Sequence, residues 1–218
     1  MEMRRMIRPA QDKSSQLNIA QVWPATRSLG PGLRAAVWVQ GCHLRCPGCI
    51  SPEWIPQRPA HSVAPDELAE QLLQNTAIEG FTFSGGEPML QAMGLAALVR
   101  FARQKRTINV ICFTGYYYQQ LVHYPAGSGV PELLAEVDVL IDGPYLAALN
   151  DGQGMRGSSN QTIHYLTDRL RGYNFGQGPR RVEIHIQGDY ALMVGVPPLG
   201  LPETLEQVME KQSAKLLS

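Results

Sequence analysis

Net charge is absent from this chain. Its 19 Lys and Arg residues are matched by 19 Asp and Glu, so no broad field of one sign invites a nucleic-acid backbone or an anionic membrane surface. Long hydrophobic runs are absent too. Nowhere do eighteen apolar residues follow one another, and the basic opening MEMRRMIRPAQDKSSQ leads into no apolar stretch of signal-peptide length. A soluble, cytoplasmic protein is the expectation. Cysteine is scarce: four residues in 218 are too few for a secreted disulfide scaffold. Repeats, linkers and low-complexity blocks are missing as well. With a hydrophobic fraction of 44%, this favours a single domain over residues 16–218, after a polar, frayed arm over residues 1–15.

What is present is alternation. LNIAQVW from Leu17 reads as a strand, SLGPGLR as a glycine-proline turn, and AAVWVQ as a second strand. PDELAEQLLQN reads as an amphipathic helix, with Pro65 in its first turn and Leu68 and Leu72 one turn apart. GFTFSGGEP is a strand running into a glycine turn, LQAMGLAALVRFARQK another helix, and INVICFTG a continuous apolar strand of the kind covered on both faces in a parallel sheet. PELLAEV, VDVLIDG and PYLAAL continue the pattern. The fold class expected is α/β, with a parallel sheet that is open or partly closed into a barrel and function at the carboxyl ends of its strands. After Asp151 the pattern loosens into the glycine-rich stretches DGQGMRGSSNQ and RGYNFGQGPRR, which read as loops over a site or over an edge. RVEIHIQGDYALMVGVPP then reads as a C-terminal β-hairpin turning near Gln187, Gly188 and Asp189, and ETLEQVMEKQSAKLL as a closing helix.

The four cysteines are not spread evenly. Cys42, Cys46 and Cys49 form C-x3-C-x2-C on one loop after the second strand, so three soft thiolates can converge without help from distant chain. Three is the informative number. Structural zinc requires a fourth ligand, for which His43 and His61 are the candidates without zinc-finger spacing, whereas a four-iron cubane held by three thiolates keeps one iron open to an exogenous ligand. Cys112 lies inside the apolar strand, where a free thiol behaves as a small hydrophobe.

C-x3-C-x2-C after an early strand, followed by SGGEP at Ser84–Pro88 after the next, resembles the radical S-adenosylmethionine (radical SAM) superfamily. Further stretches resemble its activating proteins for anaerobic ribonucleotide reductase and related glycyl radical enzymes: LNIA, GPGLR at Gly30–Arg34, WVQGC, CPGC followed by SPEW, FTGY at Phe113–Tyr116, DVLIDGPY at Asp138–Tyr145 and RGSSNQ at Arg156–Gln161. The likeness runs from about Leu17 to Pro197. Two positions depart from it: Pro47 stands where many relatives carry an aromatic residue near the adenine, and Leu29 stands where the turn is often acidic.

The resemblance implies a partial (β/α) barrel with Cys42, Cys46 and Cys49 holding a [4Fe-4S] cluster. It also implies that Ser84, Gly85, Gly86 and Glu87 take the amino group of S-adenosylmethionine, and that Thr114, Gly115, Asp142, Arg156 and Asn160 contact the same ligand. Each has a plainer reading beside it: a solvated turn for Glu87, structural pairing for Asp142, loop capping for Arg156 and Asn160. Tyr116, Tyr117 and Tyr118 read as a helix start. The implied activity is reductive cleavage of S-adenosylmethionine to a 5′-deoxyadenosyl radical that installs a glycyl radical on a partner enzyme, fed by a low-potential donor such as flavodoxin or ferredoxin. Modification of a peptide or small molecule is the alternative, and a non-catalytic iron-sulfur electron carrier the third reading. No nucleic acid or membrane enters any of them.

Overall fold

A computed structural model describes residues 16–187, 190–205 and 207–208. Its strands are β1 (Leu17–Thr26), β2 (Arg34–Val39), β3 (His61–Val63), β4 (Gly80–Gly85), β5 (Asn109–Phe113), β6 (Val139–Asp142) and β7 (Thr162–Tyr165), which form one seven-stranded sheet in the order β3-β1-β2-β4-β5-β6-β7. β2, β4, β5 and β6 run parallel, while β1, β3 and β7 pair antiparallel with their neighbours. The result is a mixed α/β fold with a parallel centre. The all-parallel expectation therefore holds for the four middle strands, and the flanks reverse it.

Helix α1 (Pro65–Leu73) links β3 to β4, and α2 (Ala92–Lys105) links β4 to β5. α3 (Tyr118–Leu121) and α4 (Val130–Leu134) lie between β5 and β6. α1 forms because Pro65 presets the first turn, Asp66 and Glu67 sit at the positive end of the helix dipole, and Leu68, Ala69 and Leu72 return to one face. α2 begins two residues later than its periodicity suggests. Pro88–Gln91 forms a separate 3-10 turn first, capped by the Glu87 carboxylate.

The helices cover one face of the sheet. Leu68, Leu72, Leu95, Leu98 and Val99 pack there against Val37, Phe81, Phe83, Val110 and Leu140, each buried leucine contributing about 2 kcal/mol. Cys112 belongs to this layer and is fully buried, as expected of a small apolar side chain. The opposite face is filled by the chain's own later segments: Met155, Leu170, Phe175 and Val194 pack on Ala36, Trp38, Ile111, Val139 and Ile141. Val194 comes from the hairpin of β8 (Val182–Gln187) and β9 (Tyr190–Gly195). That hairpin is tied to the end of β1 by Thr26 donating to Glu183 at 2.8 Å and Ser28 donating to the Val194 carbonyl at 2.7 Å.

Three local expectations change. PYLAAL does not extend the helix pattern: Ala147–Leu149 makes one 3-10 turn, after which the chain reverses into β7 between the two glycine-rich stretches that read as loops. His61, placed by sequence in an irregular segment, opens β3. Glycine 188 and Asp189 of the hairpin turn, most of the closing helix beyond a helical segment at 201–205, and the arm over residues 1–15 lie outside the described residues.

At the amino end of the parallel strands Arg34 is completely buried. Its Nε donates to Thr82 Oγ1 at 2.8 Å, Nη2 to the Phe81 carbonyl at 2.6 Å, and Nη1 to the Asn109 side chain and to the Pro31 carbonyl at 3.2 Å. Burial pushes its pKa down to about 9, partly offset by Asp138 and Glu79, so the guanidinium stays charged at neutral pH. Arg34→Met removes the donors that satisfy these buried acceptors. The expected loss is about 3 kcal/mol, read as a lowered urea midpoint with unchanged slope. A midpoint within error of the parent would mean that water or a rearranged loop replaces the guanidinium.

Candidate functional site

β2 ends at Val39, and the next residues curl over the carboxyl ends of the parallel strands. Positive φ angles at Gly41, Arg45 and Gly48 wind the cysteine loop, and the Cys49 N–H donates to the Cys46 carbonyl at 3.1 Å. The SPEW segment braces it from outside. Gly41 N–H donates to the Trp54 carbonyl and Cys42 N–H to the Ile55 carbonyl, both at 2.9 Å, while the Gln40 side chain reaches the Pro56 carbonyl at 2.7 Å. Trp54 stacks at 5.7 Å from Trp38. Gln91 closes the other side, donating to the carbonyls of Asn18 and Gln40 and accepting from Asn18 N–H. None of Gln40, Trp54 or Gln91 carries a sequence signal for this work, because their partners lie far away in the chain.

The three thiols of the loop are half-buried and unpaired as disulfides. Burial pushes the Cys42 thiol up, the backbone N–H groups of Leu44 and Arg45 pull it down, and the charges of Glu87 and Cys46 raise it again. Burial likewise raises Cys49, against the N–H of Ser51, with Cys46 and Cys42 adding to the rise. Both shifts favour the protonated thiol, so binding as thiolates calls for a cationic centre that offsets them. Among the described residues no three His, Cys, Asp or Glu gather as a single-ion site. His43 instead bonds Tyr116 through Nε2 and the phenol oxygen at 2.8 Å, and His61 is in β3. A four-iron cluster suits the set better, since each thiolate takes a different iron and three soft donors leave the fourth iron for another ligand.

The SGGEP turn locks onto this loop. Gly86 N–H donates to the Val39 carbonyl at 2.7 Å and Glu87 N–H to the Gly41 carbonyl at 2.9 Å. A Cβ on Gly86 would collide with the Gly41 carbonyl, and one on Gly85, whose φ is +100°, would stand 2.6 Å from Val39 N. The close approach these glycines permit is thus to the chain's own cysteine-bearing strand. Ser84, on the strand face shared with Thr82, ends β4 partly exposed.

Glu87 is not a solvated turn residue: it is 1% exposed. Oε1 accepts from Met89 N–H at 2.9 Å and Thr114 Oγ1 at 2.8 Å, and Oε2 accepts from Gly115 N–H at 2.8 Å. A carboxylate has about four acceptor positions, so one remains, on Oε2 beside Gly115. Leu44 of the cysteine loop occupies the space where a Gly115 side chain would go. Glu87, Thr114, Gly115 and the cysteine loop are therefore one packed unit.

Burial pushes the Glu87 carboxyl above its ordinary value of 4.5, and its three donors pull it part of the way back. A value raised on folding means the folded chain holds the proton more tightly. Its contribution is most favourable at and below the ordinary value and is lost as pH rises through the raised one. The stability of the metal-free parent relative to Glu87→Gln is therefore expected to fall with rising pH across that window. Paired urea titrations check this, and a difference that grows with pH would reverse the assignment.

Asp142, Arg156 and Asn160 are engaged elsewhere. Asp142 is buried on the helix-facing side of the sheet, where its carboxylate accepts from Tyr118 N–H at 2.5 Å and Thr162 N–H at 3.2 Å and lies 3.0 Å from His164 Nε2. It caps α3, the helix that starts at Tyr118 as the tyrosine run suggested. Arg156 pairs with Asp151 at 2.6 Å. Asn160 donates to the Pro144 carbonyl at 2.8 Å. This loop reaches the cysteines through Tyr145. That ring stands 3.8 Å from where a Gly48 Cβ would be and 3.0 Å from the corresponding point on Gly157. Tyr145 closes the DVLIDGPY stretch, and its contact across the site is not written in local sequence.

The family described as "4Fe-4S single cluster domain" matches residues 28–164. An anaerobic ribonucleoside-triphosphate reductase-activating protein of Vibrio cholerae is 30% identical over 161 residues, 69% of this chain and 99% of the relative. The Escherichia coli K12 protein of the same name is 28% identical over 160 residues, again 69% and 99%. A pyruvate formate-lyase-activating enzyme of Clostridium pasteurianum is 33% identical over 94 residues, 41% of this chain and 40% of the relative.

Proposed function

The chain belongs to the 4Fe-4S single cluster domain family, with anaerobic ribonucleoside-triphosphate reductase-activating proteins as relatives along most of its length, and from that premise we propose that it installs a glycyl radical on a partner enzyme, with anaerobic ribonucleotide reductase as the first candidate. It is a radical SAM enzyme whose cofactors are a [4Fe-4S] cluster and S-adenosylmethionine. The observation that carries the proposal is the pair of backbone bonds, Gly86 to Val39 and Glu87 to Gly41, that seat the SGGEP turn on the cysteine loop.

Cys42, Cys46 and Cys49 hold the cluster. The chemistry the bound group supplies is one-electron reductive cleavage of S-adenosylmethionine to methionine and a 5′-deoxyadenosyl radical. The chain's residues position the ligand. Ser84, Gly85 and Gly86 offer the turn, and the remaining acceptor of Glu87 takes the ammonium, with Thr114 and Gly115 fixing that carboxylate in one rotamer. Asp142, Arg156 and Asn160 act at one remove, by holding α3 and the loop over residues 144–161 against the site. The sheet curves as a partial (β/α) barrel, and a glycine-bearing loop of the partner enters at the strand ends, where the lack of a side chain lets its backbone come close. A low-potential flavodoxin or ferredoxin supplies the electron, in the cytoplasm. Among the described residues no helix is long and apolar enough to cross a membrane.

The test is anaerobic reconstitution with iron and sulfide, reduction in the presence of S-adenosylmethionine, and assay of 5′-deoxyadenosine, followed by addition of the reductase and a search for a glycine-centred doublet by electron paramagnetic resonance. 5′-Deoxyadenosine without the doublet would redirect the proposal to peptide or small-molecule modification. A reconstituted cluster without turnover would leave the electron-carrier reading.

A further inference from the structure

At the far end of β1 from the cysteines, where Thr26 pairs with Arg34, a cavity of about 210 Å³ opens between the β1 turn and the QGPRR stretch. Arg27, Ser28, Asn174, Gln177, Arg180 and Arg181 are among the residues lining it, and no Asp or Glu is. Arg27 and Arg181 are exposed, but Arg180 is not: its side chain is 1% accessible.

The hydrogen bonds of Arg180 can be counted. Nη1 donates to Asn150 Oδ1 at 2.8 Å and the Pro197 carbonyl at 3.1 Å, and Nη2 to the carbonyls of Arg156 at 2.7 Å and Gly157 at 3.1 Å. Those four acceptors use the four Nη hydrogens. The fifth, on Nε, is buried without a partner. All four acceptors are neutral, so they satisfy the hydrogens without balancing the charge. The nearest carboxylate, Asp151, stands 4.0 Å away and is already bonded to Arg156 at 2.6 Å. Arg180 and Arg156 thus share one carboxylate, and with one unpartnered donor and two further arginines beside the cavity the positive charge here exceeds the negative.

We propose that this cavity is an anion site, separate from the cluster and S-adenosylmethionine, which takes a phosphoryl group on Arg27, Arg180 and Arg181. Arg27 and Arg181 can meet phosphate oxygens bidentately and Arg180 adds its buried charge, and a tetrahedral dianion accepts from several cations at once, which a planar monoanionic carboxylate does less well. The volume sets the size: small-molecule pockets run to roughly 300–1,000 Å³, so this one holds a phosphate and little more. The source is free phosphate or the terminal phosphate of a nucleotide whose remainder stays outside.

Calorimetric titration of the reconstituted full chain with inorganic phosphate and with ATP, at ionic strength held constant with potassium chloride, tests the site. Saturable one-to-one binding is expected. It should weaken about tenfold or more in the Arg27→Ala, Arg181→Ala double variant, whose exposed side chains are not needed for folding. Binding should persist in Cys42→Ala, and 5′-deoxyadenosine formation should be unchanged in the double variant, so failure here is distinguishable from failure of the radical chemistry. ATP binding tighter than phosphate identifies a nucleotide as the source, and equal or weaker binding identifies the free ion. No saturable binding of either, or equal affinity in the double variant, would overturn the site.

Discussion

Replacing any one of Cys42, Cys46 or Cys49 with alanine is expected to bring 5′-deoxyadenosine formation to background and to lower bound iron, whereas Cys112→Ala keeps both. The reason is positional. The three loop thiols are half-buried above the strand ends, and burial raises Cys42 and Cys49, with Cys46 adding to both. No fourth cysteine is within their loop to compensate for a lost ligand. Cys112 lies in the helix-facing layer among Phe81, Val110 and Leu140, and burial pushes its thiol well up, so it stays protonated and inert. Its replacement should cost about 1 kcal/mol of stability through the small void it leaves. Iron and sulfide per chain, the visible absorption of the reconstituted protein and product formation are the measurements. Equal loss in the Cys112 variant would show that the ligand set had been misassigned.

Gly86→Ala is expected to be the most damaging single change in the SGGEP turn. The added methyl meets the Gly41 carbonyl, which accepts from the Glu87 N–H in a residue whose own N–H donates to the Trp54 carbonyl, so neither partner can swing away. Relief requires the turn to lift off the cysteine loop. That breaks the Gly86–Val39 and Glu87–Gly41 bonds together and moves the Glu87 carboxylate from Thr114 and Gly115. Overpacking against backbone should cost about 3 kcal/mol, with a large fall in iron retained after gel filtration. Ser84→Ala, two positions away and partly exposed, is the control: it should keep the cluster and stability. If Gly86→Ala retained full iron and turnover, the turn would not be seated on the loop as described.

Comparison of particular residues shows why some features were readable. C-x3-C-x2-C is a local pattern, and so are the positions of the thiols, because eight consecutive residues fix their own spacing. The apolar runs of β2, β4 and β5 announce strands buried on both faces, and the returns at Leu68 and Leu72 announce α1. β7 was not legible. Thr162–Tyr165 is a short edge strand with Thr162 exposed, and it pairs only because the chain reverses after the 3-10 turn at Ala147–Leu149. Two of the three partners of Glu87 lie 27 and 28 residues away, and no local periodicity carries that information.

The sequence by itself determined the chemistry this protein handles: three soft donors on one loop, a glycine-glutamate turn one strand later, and an alternation that puts both at strand ends. Only the tertiary structure decided which way the side chains point. It turned Glu87 inward, set Asp142 on the helix side, pressed Tyr145 between Gly48 and Gly157, and left Arg180 to share Asp151 with Arg156. Donor identity and short spacing are properties of consecutive residues, whereas orientation and charge balance are settled only when distant segments compete for the same buried hydrogen-bonding groups.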